Sequence, residues 1–153
     1  MMDRSNLASP LNDPIISRLG YLLRRASSAM MADLGGGLAE IGLRPVEATI
    51  LILVGANPGC IQSDLGRVLG IKRANMAPLI SSLAAKGYLA KSPVDGRSLA
   101  LSLTDAGEAM RSRADAIMDE HERRFDEILN GCDQGPLRAM LTAIAAGGAE
   151  QGG

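Results

Sequence analysis

The chain has 153 residues, of which 46% are apolar but only three are aromatic, two Tyr and one Phe. This length fits one domain, and the scarcity of aromatic residues favours packed helices over a β-sandwich. Two distant cysteines exclude a disulfide framework. No apolar run reaches the about 20 residues of a membrane span, and no signal peptide begins the chain. We therefore expect a cytoplasmic protein.

The net charge of −1 hides an uneven distribution along the chain. Residues 61–103 hold six basic and two acidic side chains, whereas residues 104–153 hold five basic and ten acidic ones. A basic middle beside an acidic segment is a candidate surface for a polyanion, although charge runs are also common on ordinary solvated faces.

The first two predicted helices cover residues 14–39 and 45–56. Apolar residues recur at helical spacing in the first, and Gly35, Gly36 and Gly37 near its end indicate either a frayed end or a hinge. The second is rich in β-branched residues that would suit a strand. Pro45 at the first helical position and Asn57-Pro58-Gly59 after the last turn favour a buried helix instead.

The next segment indicates a helix-turn-helix. Leu65, Leu69 and Ile71 form the apolar face of a short helix, and Gly70 offers the turn. A second helix, beginning near Lys72 or Arg73 and ending at Gly87, directs four apolar side chains inward: Met76, Leu79, Ile80 and Leu83. By exclusion its outward face consists of Arg73, Ala74, Asn75, Ala77, Pro78, Ser81 and Ser82.

A short β-hairpin follows directly. The alternating Leu99, Leu101 and Leu103 predict a half-buried strand, whose antiparallel partner covers residues 89–92 before Pro93. Asp95 and Gly96 are turn residues, so Arg97 lies near the tip. Thr104 is expected to cap a long helix over residues 105–129, and a last helix over residues 137–146 precedes a tail at residues 148–153 that we expect to be disordered.

A helix-turn-helix followed by a two-stranded hairpin is a winged helix, and here the sequence resembles the MarR family of bacterial transcriptional regulators. The resemblance covers about residues 15–145 and is strongest at Asp95-Gly96-Arg97 and the Leu-Thr-Asp-Ala-Gly that ends at Gly107. LGYLLRRA, GLRPVEATIL and SDLGRVLGI also match the family. The implied fold is mainly α with a small β-hairpin wing, in one structural domain. Residues 1–40 and 105–147 would supply dimerisation helices, and residues 41–104 the DNA-binding region.

The resemblance also implies a homodimer that binds a palindromic operator in double-stranded DNA, as an effector-responsive regulator and most simply a repressor. The second helix of the motif would enter the major groove. Arg97 would reach into the minor groove, and Asp95 would hold the wing in shape. Three departures from the family matter: a single basic residue at the wing, Ile61 in place of a capping Thr or Ser, and Pro78 inside the second helix.

The predicted DNA contacts divide by chemistry. Arg73 suits guanine, Asn75 suits adenine, and Ala77 or Pro78 suits a thymine methyl group, whereas Lys72, Ser81 and Lys91 suit phosphates. The plainer alternatives are local backbone bonding for Asn75 and an exposed turn residue for Arg97. The full predicted set is Lys72, Arg73, Ala74, Asn75, Ala77, Pro78, Ser81, Ser82, Lys91, Asp95 and Arg97.

Two further sets of residues are predicted. The first is an effector pocket for a small aromatic or phenolic molecule, between the dimerisation helices and the winged helix. Its predicted lining residues, which could equally be ordinary core residues, are Leu22, Arg25, Met30, Leu51, Val54 and His121. A metal role for His121 is disfavoured because no second ligand lies at helical spacing. Apolar stripes that need a second subunit to cover them give the dimerisation set, Ile15, Leu19, Ile117, Phe125, Ile128, Leu137 and Leu141.

Other function classes have less support. The chain has one His, no phosphate-binding Gly-rich loop and no nucleophile elbow, so we expect neither an enzyme nor a cofactor or metal. A winged-helix module that binds only proteins remains an alternative. A regulator that senses oxidants through Cys60 or Cys132 is another, although both cysteines resemble small buried hydrophobes.

Overall fold

The computed structural model describes residues 11–149, which form six helices and three short strands. The elements follow one another as α1 (Leu19–Ala39), α2 (Pro45–Ala56), β1 (Cys60–Ile61), α3 (Gln62–Leu69), α4 (Arg73–Ala85), β2 (Leu89–Pro93), β3 (Leu99–Leu103), α5 (Asp105–Leu129) and α6 (Gln134–Ala149). The predicted architecture, mainly α with a β-hairpin wing after a helix-turn-helix, is confirmed. The predicted segments at residues 1–10 and 150–153 lie outside the described residues.

The second helix has the predicted bounds. Pro45 is its first residue, and Asn57 ends it, donating its backbone N–H to the carbonyls of Leu53 and Val54. Ile50, Leu51 and Val54 are fully buried, so this helix is the centre of the core. Flanking signals therefore outweighed the strand-like composition of its interior.

The first helix begins later than predicted. Asp13 accepts a hydrogen bond from the Ile15 N–H at 3.1 Å, and residues 14–17 form turns that end at Arg18 in an extended conformation. This bond joins only the turns at residues 14–17, and the helix itself starts at Leu19 and not at Pro14.

The glycines of α1 are neither a frayed end nor a visible hinge, because the helix continues through Gly35, Gly36 and Gly37 to Ala39. A Cβ added to Gly37 would lie 2.9 Å from Cγ2 of Ile117 on α5. The absent side chain therefore lets the two helices cross closely, which sequence reasoning did not anticipate.

The last helix is longer than predicted at both ends. It starts at Gln134, where Asp133 accepts a hydrogen bond from the Gly135 N–H at 2.9 Å, and it continues to Ala149. An Asp at this point satisfies a free backbone donor of the first turn. The helix therefore includes residues 148 and 149, which the sequence analysis assigned to the tail.

The wing belongs to a three-stranded antiparallel sheet with the order β1-β3-β2. Leu89 pairs with Leu103, and Pro93 pairs with Leu99, as the predicted hairpin requires. The third strand, β1, pairs Cys60 with Leu101 and was not predicted. It anchors the base of the wing to the start of α3, and Leu101, fully buried, holds the sheet to the core.

A buried carboxylate ties the start of α2 to the end of α4. The side chain of Glu47 is 3% exposed and accepts hydrogen bonds from Nε of Arg44 and Nζ of Lys86, each at 2.8 Å. Lys86 also donates to the carbonyl of Gly42 at 3.3 Å. Burial alone would raise the pKa of Glu47, but the bonds from Lys86 and Arg44 outweigh it and hold this pKa below its ordinary value of 4.5.

We expect Glu47→Ala to lower the free energy of unfolding at pH 7 by about 2 kcal/mol, because Lys86 and Arg44 lose their partner but can still reach water. A lowered folded-state pKa stabilises the fold above the unfolded pKa, and that contribution is lost as the pH falls through the folded value. The difference between wild type and variant should therefore be constant near neutrality and shrink below about pH 4.5. Urea unfolding at several pH values measures it.

The matched control is Glu40→Ala, which removes an exposed carboxylate that forms no ion pair within residues 11–149. This control should change stability little at any of these pH values. Equal effects of the two substitutions at pH 7 would contradict the role given to Glu47.

Candidate nucleic-acid interface

The two helices of the motif cross closely at a glycine. Gly70 adopts a left-handed conformation with φ of 65° and ends α3. A Cβ on Gly66 would lie 3.0 Å from the carbonyl oxygen of Ile71 and 3.2 Å from Cγ of Met76. Both glycines are therefore needed for the tight turn that sets α4 across α3.

The fourth helix has one buried and one exposed face. Met76, Ile80 and Leu83 are buried and Leu79 is half-buried, as predicted. The predicted outward residues are exposed, except that Ser82 is half-buried. Within residues 11–149 no hydrogen bond of the Asn75 side chain is found, so the local bonding considered for it is not seen and its amide is available to a ligand.

The proline in α4 does not interrupt the helix. Pro78 is exposed in the second turn, and the helix runs unbroken from Arg73 to Ala85. Pro78 lacks the N–H that would bond the carbonyl of Ala74, so the helix tolerates the loss of one hydrogen bond in its second turn. Pro78 therefore places a rigid apolar ring on the exposed face of α4.

The turn of the wing is built around Asp95. Its Oδ1 accepts hydrogen bonds from the backbone N–H groups of Arg97 and Ser98, both at 2.8 Å, and the N–H of Val94 reaches the carbonyl of Ser98 at 3.0 Å. The bonds from Arg97 and Ser98 lower the pKa of Asp95 below its ordinary value of 3.8. The side chain of Arg97 is left exposed at the tip.

The base of the wing is joined to the start of α5. Thr104 donates its hydroxyl to the carbonyl of Gly87 at 2.5 Å and accepts from the N–H of Gly107 at 3.0 Å, which confirms the predicted cap. Its own N–H bonds the carbonyl of Tyr88 at 3.1 Å. The hairpin is thereby fixed relative to the long helix.

Charges on the winged helix and on α5 differ in how they are paired. Within residues 11–149, Lys72, Arg73, Lys91 and Arg97 form no ion pair. Most arginines of α5 are neutralised: Arg111 by Glu108 and Asp115, Arg123 by Glu120 and Glu127, and Arg124 by Asp33. Four of the six basic side chains of the middle segment are thus exposed and available, which strengthens the interpretation of the charge asymmetry as a polyanion surface.

His121 is a satisfied core residue. It is 4% exposed, its Nδ1 lies 2.7 Å from Oδ2 of Asp33 on α1, and its ring packs on Phe125 with centroids 4.9 Å apart. Hydrogen bonds from Arg124 and then from His121 lower the pKa of Asp33. The described part of the chain contains no group of three or more His, Cys, Asp or Glu side chains that could hold a metal ion.

The six predicted effector residues differ widely in burial. Leu51 and Val54 are fully buried in the core, His121 is bonded to Asp33, Met30 is half-buried, and Leu22 and Arg25 are exposed on α1. A separate cleft of about 580 Å³ between α1 and α5 is lined by none of them. In the single chain, the plain interpretation as core holds for Leu51 and Val54.

The predicted dimerisation residues fall into two groups. Ile117 and Phe125 are half-buried within the chain, whereas the rest are exposed: Ile15, Leu19, Ile128, Leu137 and Leu141. Further exposed apolar residues that sequence reasoning missed are Ile16, Met140 and Ile144. Helix α6 meets α5 through polar contacts, Arg138 with Glu122 and Gln134 with Asp126, and leaves its apolar side chains uncovered.

The two cysteines differ from the prediction. Cys60 is half-buried in β1, and burial raises the pKa of its thiol, which disfavours the reactive thiolate. Cys132 is exposed, so describing it as a buried hydrophobe was wrong. Among residues 11–149, no helix combines the length and apolar character needed to cross a membrane.

Comparisons with known proteins agree with this geometry. The model of the MarR family matches residues 41–98. The transcriptional repressor CouR, solved in complex with a 23-mer DNA duplex, is 35% identical, and the alignment covers 90% of this chain and 99% of that one with a TM-score of 0.83. CouR bound to p-coumaroyl-CoA is 32% identical over 89% of this chain and 98% of that one, with a TM-score of 0.80.

A further relative is the HTH-type transcriptional repressor Rv2887 of Mycobacterium tuberculosis, 28% identical over 84% of this chain and 94% of its own length. Its complex with p-aminosalicylic acid has a TM-score of 0.66 at 27% identity, covering 83% of this chain and 98% of that one. These relatives are transcription regulators, and the likeness extends over nearly their whole length. The chain belongs to the MarR family of transcriptional regulators.

Proposed function

We propose that this regulator is a repressor that binds a palindromic operator in double-stranded DNA as a homodimer. The observation that carries the proposal is a set of exposed cations on the winged helix that form no ion pair within residues 11–149: Lys72, Arg73, Lys91 and Arg97. The resemblance to repressors, one of them in complex with a DNA duplex, supports it. A protein that acts on bacterial operators works in the cytoplasm, and the chain needs no enzymatic activity for this role.

Each exposed residue has a distinct part in this proposal. Arg73 and Asn75, at the start of α4, are suited to hydrogen-bond guanine and adenine in the major groove, and Ala77 and Pro78 to contact a thymine methyl group. Arg97 inserts into the adjacent minor groove, where negative potential is concentrated. The contacts that set position without reading sequence come from Lys72, Ser81 and Lys91, with Asp95 holding the wing, and Ala74 and Ser82 lie on the same helix as Ser81.

The dimer would use the parts of the chain that flank the winged helix at residues 41–104. Exposed apolar side chains lie on both flanks, on α1 and the turns before it, at the end of α5 and along α6. Exposed apolar surfaces of this kind are unusual on a monomer. A second copy would cover them in an isologous interface, in which the same surface of each chain meets across a twofold axis. The half-buried Ile117 and Phe125 would lie behind this surface.

We expect the double substitution Leu137→Glu and Leu141→Glu to yield a monomer at micromolar concentration. Both side chains are exposed and α6 makes mainly polar contacts with α5, so the fold of one chain should lose little stability. Four carboxylates would instead be buried in each dimer, which strongly opposes association. Sedimentation velocity measures the result.

Val68→Glu is the matched control, because Val68 is an exposed apolar residue of α3 outside this surface. The control protein should remain dimeric. A dimer that survives the double substitution on α6 would contradict the proposed interface.

The effector class that we propose is an aromatic acid or its coenzyme A thioester. The relatives bound to p-coumaroyl-CoA and to p-aminosalicylic acid support this class. Arg25 is exposed on α1, with its guanidinium 5.8 Å from the ring centre of Tyr21, and could bind a carboxylate or phosphate near Leu22 and Met30. Leu51, Val54 and His121 would pack behind that surface.

Titration of p-coumaroyl-CoA and of salicylate into the complex with DNA tests this effector class. The measured quantity is the fraction of the duplex that is released.

Selection of bound duplexes from a random pool tests the repressor proposal. We expect an enriched palindrome whose half-sites lie about one helical turn apart, since two copies of α4 must enter successive major grooves on one side of the duplex. A winged-helix module that binds only proteins would enrich no sequence at low ionic strength, and that outcome would contradict DNA binding.

A further inference from the structure

An arginine-lined cavity lies between α3, the start of α4 and the wing. Its volume is about 340 Å³, and each of the three elements contributes one arginine to its lining: Arg67, Arg73 and Arg97. Gln62 and Ser63, in the first turn of α3, line it as well. Arg67 and Ser63 were not among the predicted DNA contacts, so the cavity extends the surface onto α3.

The chemistry of the lining suits a phosphate group. Guanidinium groups donate two parallel hydrogen bonds to phosphate oxygens and stay charged at every physiological pH. Ile61 cannot cap α3 with its side chain, so the amides of the first turn keep the positive end of the helix uncovered beside Gln62 and Ser63. No carboxylate lines the cavity within the described residues.

Arg67 has a competing partner outside the cavity. Its Nη1 lies 2.9 Å from Oδ1 of Asp64, three residues earlier on the same helix, and both side chains are well exposed. Water screens an exposed pair of this kind, so it is weak. A phosphate that approaches the cavity can therefore displace Asp64 and take over the guanidinium of Arg67.

We propose that this cavity holds one backbone phosphate of the DNA in each subunit, bound by Arg67 while Arg73 keeps its place in the major groove, and that Asp64 competes with that phosphate for Arg67. The inference rests on the proposed DNA binding and deepens it. A phosphate contact carries no sequence information, so Asp64 lowers the affinity for every duplex alike. Arg97, on the wing side of the cavity, remains free for the neighbouring groove.

The test compares Arg67→Gln, Asp64→Asn and the double variant with the wild-type chain. Each protein is titrated into a labelled operator duplex and a labelled duplex of unrelated sequence over a range of KCl concentrations. Arg67→Gln should weaken binding to both by about tenfold or more, and the slope of log affinity against log salt should fall by about 2, because a dimer loses two phosphate contacts. A role confined to folding would leave that slope unchanged.

Asp64→Asn should tighten binding to both duplexes by about three- to tenfold, because Arg67 is then free from the start. In the Arg67→Gln background the same substitution should have less than half of that effect. Arg113→Gln and Asp119→Asn are the matched controls, since both residues are exposed on α5, form no ion pair within residues 11–149 and carry the same charges. Both controls should leave the affinities within about twofold of wild type.

The outcomes separate this inference from the repressor proposal. If wild type binds DNA but Arg67→Gln keeps its affinity and salt slope, the phosphate site is wrong and the repressor proposal stands. The proposed competition between Asp64 and the phosphate would be overturned if Asp119→Asn tightens binding as much as Asp64→Asn does, or if Asp64→Asn keeps its full effect in the Arg67→Gln background. Either result would show that net charge alone raises the affinity. Failure of the wild-type chain to bind any duplex would overturn both proposals.

Discussion

Replacement of Gly107 by alanine is expected to lower the free energy of unfolding by about 3 kcal/mol or more. A Cβ at this position would lie 2.0 Å from the carbonyl oxygen of Tyr88 and 2.9 Å from its carbonyl carbon. Both are backbone atoms of the segment that leads into β2, so no side-chain rotation can relieve the overlap. The start of α5 must move away from the wing, which breaks the bonds of Thr104. Urea unfolding of both proteins measures the loss.

Gly36→Ala is the control for this prediction. Gly36 is also helical, and a Cβ there would meet nothing within 4 Å. Alanine has a higher helix propensity than glycine, so this substitution should leave stability unchanged or raise it by up to about 1 kcal/mol. Equal unfolding midpoints for Gly107→Ala and wild type would show that α5 does not touch the Tyr88 carbonyl.

Substitution of Arg97 by alanine is expected to weaken operator binding by about 2 kcal/mol, which is about 30-fold in Kd, with the melting temperature almost unchanged. The side chain is exposed, and only its backbone N–H contributes to the turn, through Asp95. Each wing presents one cation near its tip, so no neighbour can replace the lost charge in the minor groove. Fluorescence anisotropy and thermal melting give the two quantities.

Arg97→Lys should recover much of the affinity, because a lysine keeps the charge that the narrow groove attracts. Arg113→Ala, which removes an exposed arginine of α5, controls for net charge. An Arg97→Ala protein that binds the operator as wild type does would remove the wing arginine from the mechanism.

The elements that could be predicted from the sequence are those with strong local signals. Pro45 and Asn57 bound α2, Gly70 ends α3, Asp95 closes the turn of the wing, and Thr104 caps α5, each through atoms within a few residues. The outward face of α4 followed by exclusion once its buried residues were assigned. These positions define most of the candidate interface.

The remaining features depend on contacts between distant parts of the chain. β1 is only two residues long and exists because it pairs with Leu101, about forty positions later. Gly37 is explained by Ile117 on α5, and Lys86 is held by a buried Glu47 that precedes it by 39 residues. The periodicity of α2 could not tell whether Leu51 and Val54 line a pocket or fill the core, because both uses need apolar residues at the same spacing.

Arg67 illustrates the same limit at the interface. On the sequence it is one basic residue in a short helix, with an acidic partner at helical spacing that suggests an ordinary surface pair. Only the packing of α3 against α4 and the wing brings it into one cavity with Arg73 and Arg97. The part that we propose for it in DNA binding therefore follows from tertiary structure and not from a motif.

We expect two chains together to present their winged helices to one duplex. Sedimentation velocity of the full chain with a labelled operator duplex at low ionic strength tests it most directly. We predict a single complex whose mass is that of the duplex plus two chains of 15.9 kDa each, dissociating as salt is added. A 15.9 kDa monomer at micromolar concentration that leaves the duplex free would contradict the account.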